Sequence, residues 1–190
     1  AVVDFMVVSS PADNIVTKPP FKLAERFLRH ALTLARHPSE TDERMMVRLL
    51  AFALHADGDL AFGKGLSDED EPNLWLKDLT GVIRLWIDIG QPDEKRMRRA
   101  CGRSDQVFVY AYGGQGTELW WKKTADDVER CENLTVMQLP YDACKALSGL
   151  ADRNMQLNCT IQEGQLWLAN ASDSVLVEPG VLKAATAQQR

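Results

Sequence analysis

The period of the hydrophobic residues changes several times along this chain, and each change marks an element. The opening AVVDFMVVSS alternates weakly, which predicts one short strand. Ser9-Ser10-Pro11 and Lys18-Pro19-Pro20 then predict an extended, turn-rich stretch up to Pro20. Phe21, Ala24, Phe27, Leu28, Ala31, Leu32 and Leu34 recur at helical spacing, so a helix is expected there until Pro38 stops it. Ser39 with Asp42 approaches a capping box. Behind it Met45, Met46, Leu49, Leu50, Phe52 and Ala53 supply a wide apolar helix face.

Leu60–Leu66 reads as a strand ending at Gly65, and Val82–Ile89 as a stronger one, rich in branched and aromatic residues and closed by Gly90 and Pro92. The run from Asp93 to Gly102 has acids in its first turn and bases later, which suits the helix dipole at both ends. Val107–Tyr112 is expected to be a strand, Gly113, Gly114 and Gly116 a hairpin turn, and Thr117–Lys122 the returning strand. Leu134–Leu139 follows as a strand and Asp142–Leu150 as a short helix. Gln156–Gln162 and Gln165–Ala169 form strands about a Glu163-Gly164 turn, and the tail from Pro179 is expected to be loosely held. The sum is an α/β fold: a mixed central β-sheet flanked by helices.

Composition changes this picture little. A chain of 190 residues, 45% of them hydrophobic, can bury one substantial core. The net charge of -5 argues against affinity for nucleic acid spread over the whole surface, though a local basic patch remains compatible with it. Cys101, Cys131, Cys144 and Cys159 show no CxxC pair, and His30, His37 and His55 show no ligand spacing, so neither a zinc site nor a disulfide framework is signalled. A reducing cytoplasm fits that usage. Asp4 interrupts the first apolar run and no run reaches spanning length, so no membrane association is expected.

Candidate chemistry lies where acids meet strand ends. The run SDEDEP places Asp68, Glu69, Asp70 and Glu71 before Pro72, and Asp88 sits inside the strand LWIDIG. A carboxylate there is costly to bury unless it is paired or metal-bound. Alternation places Asp88 with Trp86 and Arg84 on one face, opposite Leu85, Ile87 and Ile89. Two strand-end carboxylates can share Mg²⁺, whereas the plainer reading is a solvated acidic turn with a structural Asp. Glu40, Glu43 and Arg44 lie close enough on a helix for an ordinary Glu40–Arg44 pair, or for a carboxylate that completes a metal site. Lys95, Arg96, Arg98 and Arg99 form the densest basic patch, suited to phosphate contact or simply to a solvated helix face. On a strand Trp120 and Trp121 would point to opposite faces, one into the core and one outward for stacking. GGQG at Gly113 lacks the Lys-Ser/Thr of a phosphate loop.

The strings ALTLARHPSETDERMMVRLLAFALHA, GLSDEDEPNLW, LWIDIGQPDEKRMRRAC, LWW and ADRNMQLNCTIQEGQLWL closely resemble the YaeQ family of bacterial proteins, over roughly His30 to Leu176. The resemblance implies a compact variant of the PD-(D/E)XK nuclease core, restriction-endonuclease-like, spanning residues 30–178. Residues 1–29 form a poorly matched N-terminal strand and extended segment, and residues 179–190 a tail. It further implies a Mg²⁺-dependent phosphodiesterase acting on nucleic acid, with Mn²⁺ as a possible substitute. In that reading Asp88 is the strand acid, Glu71 or Asp70 the upstream acid and Glu40 or Glu43 the acid of the first core helix. Arg44, Arg98 and Arg99 are its phosphate contacts. Where the family fold expects a lysine two residues after Asp88, this chain has Gly90, and Lys95 or Arg96 is the candidate replacement. The alternative is a non-catalytic binding or regulatory protein that keeps the nuclease fold.

Overall fold

A computed structural model of the chain describes residues 1–9, 26–64 and 70–186. In chain order its elements begin with β1 (Val2–Ser9), β2 (Arg26–Thr33), α1 (Asp42–Leu54), β3 (Leu60–Phe62) and β4 (Leu74–Lys77). Then come β5 (Ile83–Ile89), α2 (Glu94–Arg103), β6 (Ser104–Ala111), α3 (Gln115–Thr124) and β7 (Leu134–Gln138). The chain continues through α4 (Tyr141–Ser148), β8 (Asn154–Gln162), β9 (Gln165–Ala169), β10 (Ser174–Val177) and β11 (Gly180–Lys183). Where one mixed sheet was expected there are two, of five and six strands. They belong to two compact units, Ala1–Ala56 with Asp142–Pro179, and Asp57–Tyr141 with Gly180–Arg190.

The first unit is built on the sheet β10-β9-β8-β1-β2, with β1 parallel to β8 and the remaining pairs antiparallel. Its β8, NMQLNCTIQ, alternates exposed and buried at every residue, the period-two pattern of a sheet with one covered face. Val3, Phe5 and Val7 are buried on β1, where the Phe5 ring lies 6.4 Å from that of Phe52 on α1. The Thr41 hydroxyl caps α1 by accepting from the Arg44 amide at 3.2 Å, while every residue from Met45 to Ala53 is buried. A helix enclosed on all sides is an interior element. The expected helix over Phe21–Leu34 is corrected here: its described part, 26–33, is strand β2, paired with β1 through eight successive partners from Val2↔Thr33 to Ser9↔Arg26. The spacing Leu28, Leu32, Leu34 satisfies period two as well as helical period, and the β1 ladder resolves the ambiguity.

The second unit is built on β11-β7-β6-β5-β4-β3, in which β5, β6 and β7 run parallel and the outer strands antiparallel. Parallel neighbours need crossovers, and α2 and α3 provide them. The expected hairpin after Tyr112 is therefore a helix, α3. Gly113 and Gly114, at φ of 123° and 63°, turn the chain out of β6 and into it. Trp120 and Trp121 thus neighbour one another on a helix, their rings 5.7 Å apart. Both pack on a cluster of Trp86, Met97, Ala100, Val107, Val109, Leu134 and Val136. The segment after Pro179 is also firmer than expected: β11 pairs with β7, and the Thr186 amide donates to Glu132 at 2.8 Å. Strands β4 and β10, absent from the sequence reading, complete the sheets, while the expected strand end at Gly65 lies outside the described residues. No described helix is long and apolar enough to cross a membrane.

Candidate functional site

Asp88 is the most informative polar residue of the second unit. It lies near the end of β5 and is 2% exposed. Gly90, at φ 97°, lets the chain leave the strand, and Asp93 then caps α2 by accepting from the Arg96 amide at 2.7 Å. That cap fixes the first turn, so the Arg96 side chain reaches back to Asp88. Arg96 Nε donates to Asp88 Oδ2 at 2.7 Å and Nη2 to Oδ1 at 2.8 Å, a bidentate fork. The Trp86 indole adds a donor to Oδ2 at 3.1 Å, on the face it shares with Asp88 as alternation predicts. Nη2 also donates to the Glu71 carbonyl at 2.9 Å. The Asn73 amide donates to the Ile87 carbonyl, and Asn73 Oδ1 accepts from the Ile89 amide at 2.9 Å, fastening the Glu71 segment beside β5.

The other predicted residues have partners of their own. The Glu71 carboxylate takes the Lys64 ammonium at 3.4 Å and its amide at 3.2 Å. Asp70, 74% exposed, lies 3.0 Å from Arg99 and 3.8 Å from Arg103. Arg98 makes a loose pair with Glu94 at 3.7 Å, and Lys95 is exposed. Asp68 and Glu69 fall outside the described residues.

Glu40 belongs to the first unit and stands before the cap of α1, not within the helix. It is 5% exposed and pairs at 2.7 Å with Arg48, itself 3% exposed, whereas the anticipated Arg44 is 4.0 Å away. Glu43 pairs with Lys145 at 2.7 Å. Sequence reasoning passed over Arg48, although an arginine inside the apolar run MMVRLL signals a buried counter-ion. It also passed over Asn73, for which no local pattern gives a sign.

In chemical terms, Asp88 Oδ1 and the Glu71 carbonyl are hard oxygens converging on one cationic atom, Arg96 Nη2. A single carboxylate and a carbonyl are a meagre Mg²⁺ donor set, and both carboxylate oxygens are already engaged. Among the described residues no group of three or more His, Cys, Asp or Glu comes together as a metal centre. Mg²⁺ does not fit this arrangement while the guanidinium holds it.

These features define a two-sheet, mixed α/β protein in which a strand-end aspartate is closed by an arginine of the following helix. The family profile described as "YaeQ protein" matches residues 24–179, and the chain belongs to the YaeQ family. It is 45% identical over 153 residues to the uncharacterized protein YaeQ of Salmonella typhi, covering 80% of this chain and 84% of that one. To the uncharacterized protein YaeQ of Escherichia coli K12 it is 41% identical over 152 residues, with the same coverage. The crystal structure of YaeQ from Xanthomonas axonopodis pv. citri superposes with a TM-score of 0.85 at 48% identity, over 96% of this chain and 98% of that one. That of YaeQ from Pseudomonas syringae gives 0.84 at 30% identity, over 98% of both.

Proposed function

We propose that this chain is a non-catalytic binding protein that keeps a nuclease-like frame and meets phosphate-bearing partners, nucleic acid foremost, along the exposed side of α2. The observation that carries the non-catalytic reading is the Asp88–Arg96 fork, which occupies both oxygens of the strand acid. Breaking a buried pair of this kind costs about 3–5 kcal/mol, more than a divalent ion held by one carboxylate and one carbonyl is expected to return. Along α2, Lys95, Arg98, Arg99 and Arg103 are exposed, with Glu94 and Asp70 as their counter-charges among the described residues. These exposed cations suit contact with a phosphate backbone without base readout.

A second reading, the Mg²⁺- or Mn²⁺-dependent phosphodiesterase, is favoured by the convergence of Asp88 Oδ1 and the Glu71 carbonyl on one cation position. In that case substrate would have to draw Arg96 away first. One set of experiments separates the two: calorimetric titration with Mg²⁺ and Mn²⁺, anisotropy with labelled single- and double-stranded DNA, and a cleavage assay with each metal. The binding reading expects no saturable metal uptake and no cleavage. It also expects DNA affinity that falls steeply with salt and is lost in the Lys95→Glu/Arg98→Glu variant. Metal-dependent cleavage abolished by Asp88→Asn would replace it with the enzyme.

A further inference from the structure

The outward face of the first sheet carries chemistry that α2 does not share. Along β8 the exposed positions are Asn154, Gln156, Asn158, Thr160 and Gln162, alternating with buried core positions. In a chain of which 26% is charged, this row holds carboxamides and a hydroxyl and no charge. Within the described residues none of these side chains is hydrogen-bonded to protein, so their donors and acceptors face outward together. On the neighbouring β9, Trp167 takes the same face. It stands opposite Thr160, between the fully buried Leu166 and Leu168, and is 42% exposed. Towards the other end of the row the face sinks into a cleft of about 450 Å³, a size suited to a small ligand. Asp4 of β1 and Gln156 of β8, partners in register, line it side by side. Its wall is the β9–β10 turn, where Asn170 Oδ1 accepts from the Ser172 amide at 2.9 Å and the Asp173 amide at 2.7 Å and so holds the turn in one shape. Asp4 is the one ionisable side chain lining the cleft among the described residues. From Gln156 to Thr160 is about 13 Å of strand, and the β9 side chain passed on the way, opposite Asn158, is the small Ala169.

We propose that this face is a binding site for an extended, uncharged oligosaccharide, with one sugar seated in the Asp4–Gln156 cleft and another stacked on Trp167. A sugar ring offers hydroxyls that donate and accept at once. Carboxamides answer with both functions, and a carboxylate accepts from two hydroxyls together. The C–H face of the ring is flat and apolar, and an outward indole covers such a surface while its N–H stays wet. A phosphate-bearing polymer is disfavoured here, because it needs cations and the cleft supplies a carboxylate. A peptide strand would pair with a sheet edge through its backbone and would not lie across a face of side chains. The separation of cleft and indole along β8 selects a chain of sugars over a single one. The site belongs to the first unit and owes nothing to the basic side of α2.

The test is titration of the isotopically labelled full-length chain with neutral hexasaccharides of the cellulose, amylose and chitin series, followed through the indole and carboxamide N–H resonances. At least one series is expected to shift the Trp167 indole together with the Gln156 and Asn158 carboxamides, saturably, with an affinity that added salt leaves unchanged. The matching monosaccharide should bind more weakly. Trp167→Ala and Gln156→Ala should each weaken binding about tenfold. Both variants should melt with the wild type, since the two side chains are exposed. Resonances unmoved by all three series at ~10 mM sugar would overturn the proposal, as would binding undiminished by Trp167→Ala. So would shifts that follow only protein concentration, the mark of a second copy, or that arise only with single-stranded DNA and vanish with salt.

Discussion

Removing Arg96 and removing Asp88 should cost different amounts, because the two partners are buried to different degrees. Asp88 is 2% exposed, while the Arg96 side chain is 24% exposed. Arg96→Met keeps a long unbranched side chain but deletes the fork and the guanidinium 5.9 Å from the Trp86 ring centre, leaving a charged carboxylate with the indole N–H as its donor among the described residues. An uncompensated buried charge of that kind costs about 3–5 kcal/mol. Asp88→Asn preserves shape and leaves Arg96 its bond to the Glu71 carbonyl and a path to solvent. The loss is then the charge assistance of two hydrogen bonds, about 2 kcal/mol in all. Asp88→Leu combined with Arg96→Met removes both charges and should lie within about 1–2 kcal/mol of wild type, so the double-mutant cycle shows strong coupling. Urea unfolding, followed by tryptophan fluorescence and far-UV circular dichroism, measures the series. Coincident transitions are required for a single free energy, since the chain falls into two units. An Arg96→Met variant within about 0.5 kcal/mol of wild type would refute the reasoning, because that is what loss of an exposed arginine costs.

Three further outcomes follow from other parts of the structure. Glu40→Ala removes the carboxylate 2.7 Å from the buried Arg48 guanidinium, leaving its bond to the Ala35 carbonyl, and should destabilise the first unit by about 3 kcal/mol, whereas Glu40→Gln, which retains an acceptor, should cost less; chemical denaturation of both variants checks the order. Desolvation holds the His55 imidazole down from 6.5 to about 4, so the folded chain keeps it neutral while the unfolded chain takes up a proton. Stability present above pH 6.5 should therefore be lost as pH falls towards 4, by at most about 3 kcal/mol, and His55→Gln should flatten that limb of a stability–pH profile. In the β4–β5 turn the Thr80 hydroxyl, helped by the Val82 and Thr80 amides and Arg84, outweighs desolvation and holds the Asp78 carboxyl down from 3.8 to about 2. Its contribution is fully present above pH ~4 and disappears as pH falls through about 2, so melting temperatures of wild type and Asp78→Ala should converge at the acid end.

Much of this was legible in the chain before any coordinate. The α1 interior, the β5 strand with its terminating Gly90, and α2 with Asp93 ahead of it and bases in its later turns all follow from local patterning. They are elements whose hydrophobic period and end chemistry agree, save that Thr41 rather than the expected Ser39 caps α1. So was the tension at Asp88, because an aspartate between Ile87 and Ile89 demands a partner. Local patterning erred where two periods fit the same residues, as in β2, and where glycines announced a turn without saying what followed, as before α3.

The sequence by itself determined which residues had to be buried, where the family motifs lie, and that Asp88 needed a counter-charge. Which cation answers it and which strands lie side by side were decided by tertiary structure alone. The physical reason is range: helix periods, caps and turn glycines act over a few residues. The β1–β8 ladder and the Arg96 fork with its reach to Glu71 join positions whose proximity exists only once the sheets have formed.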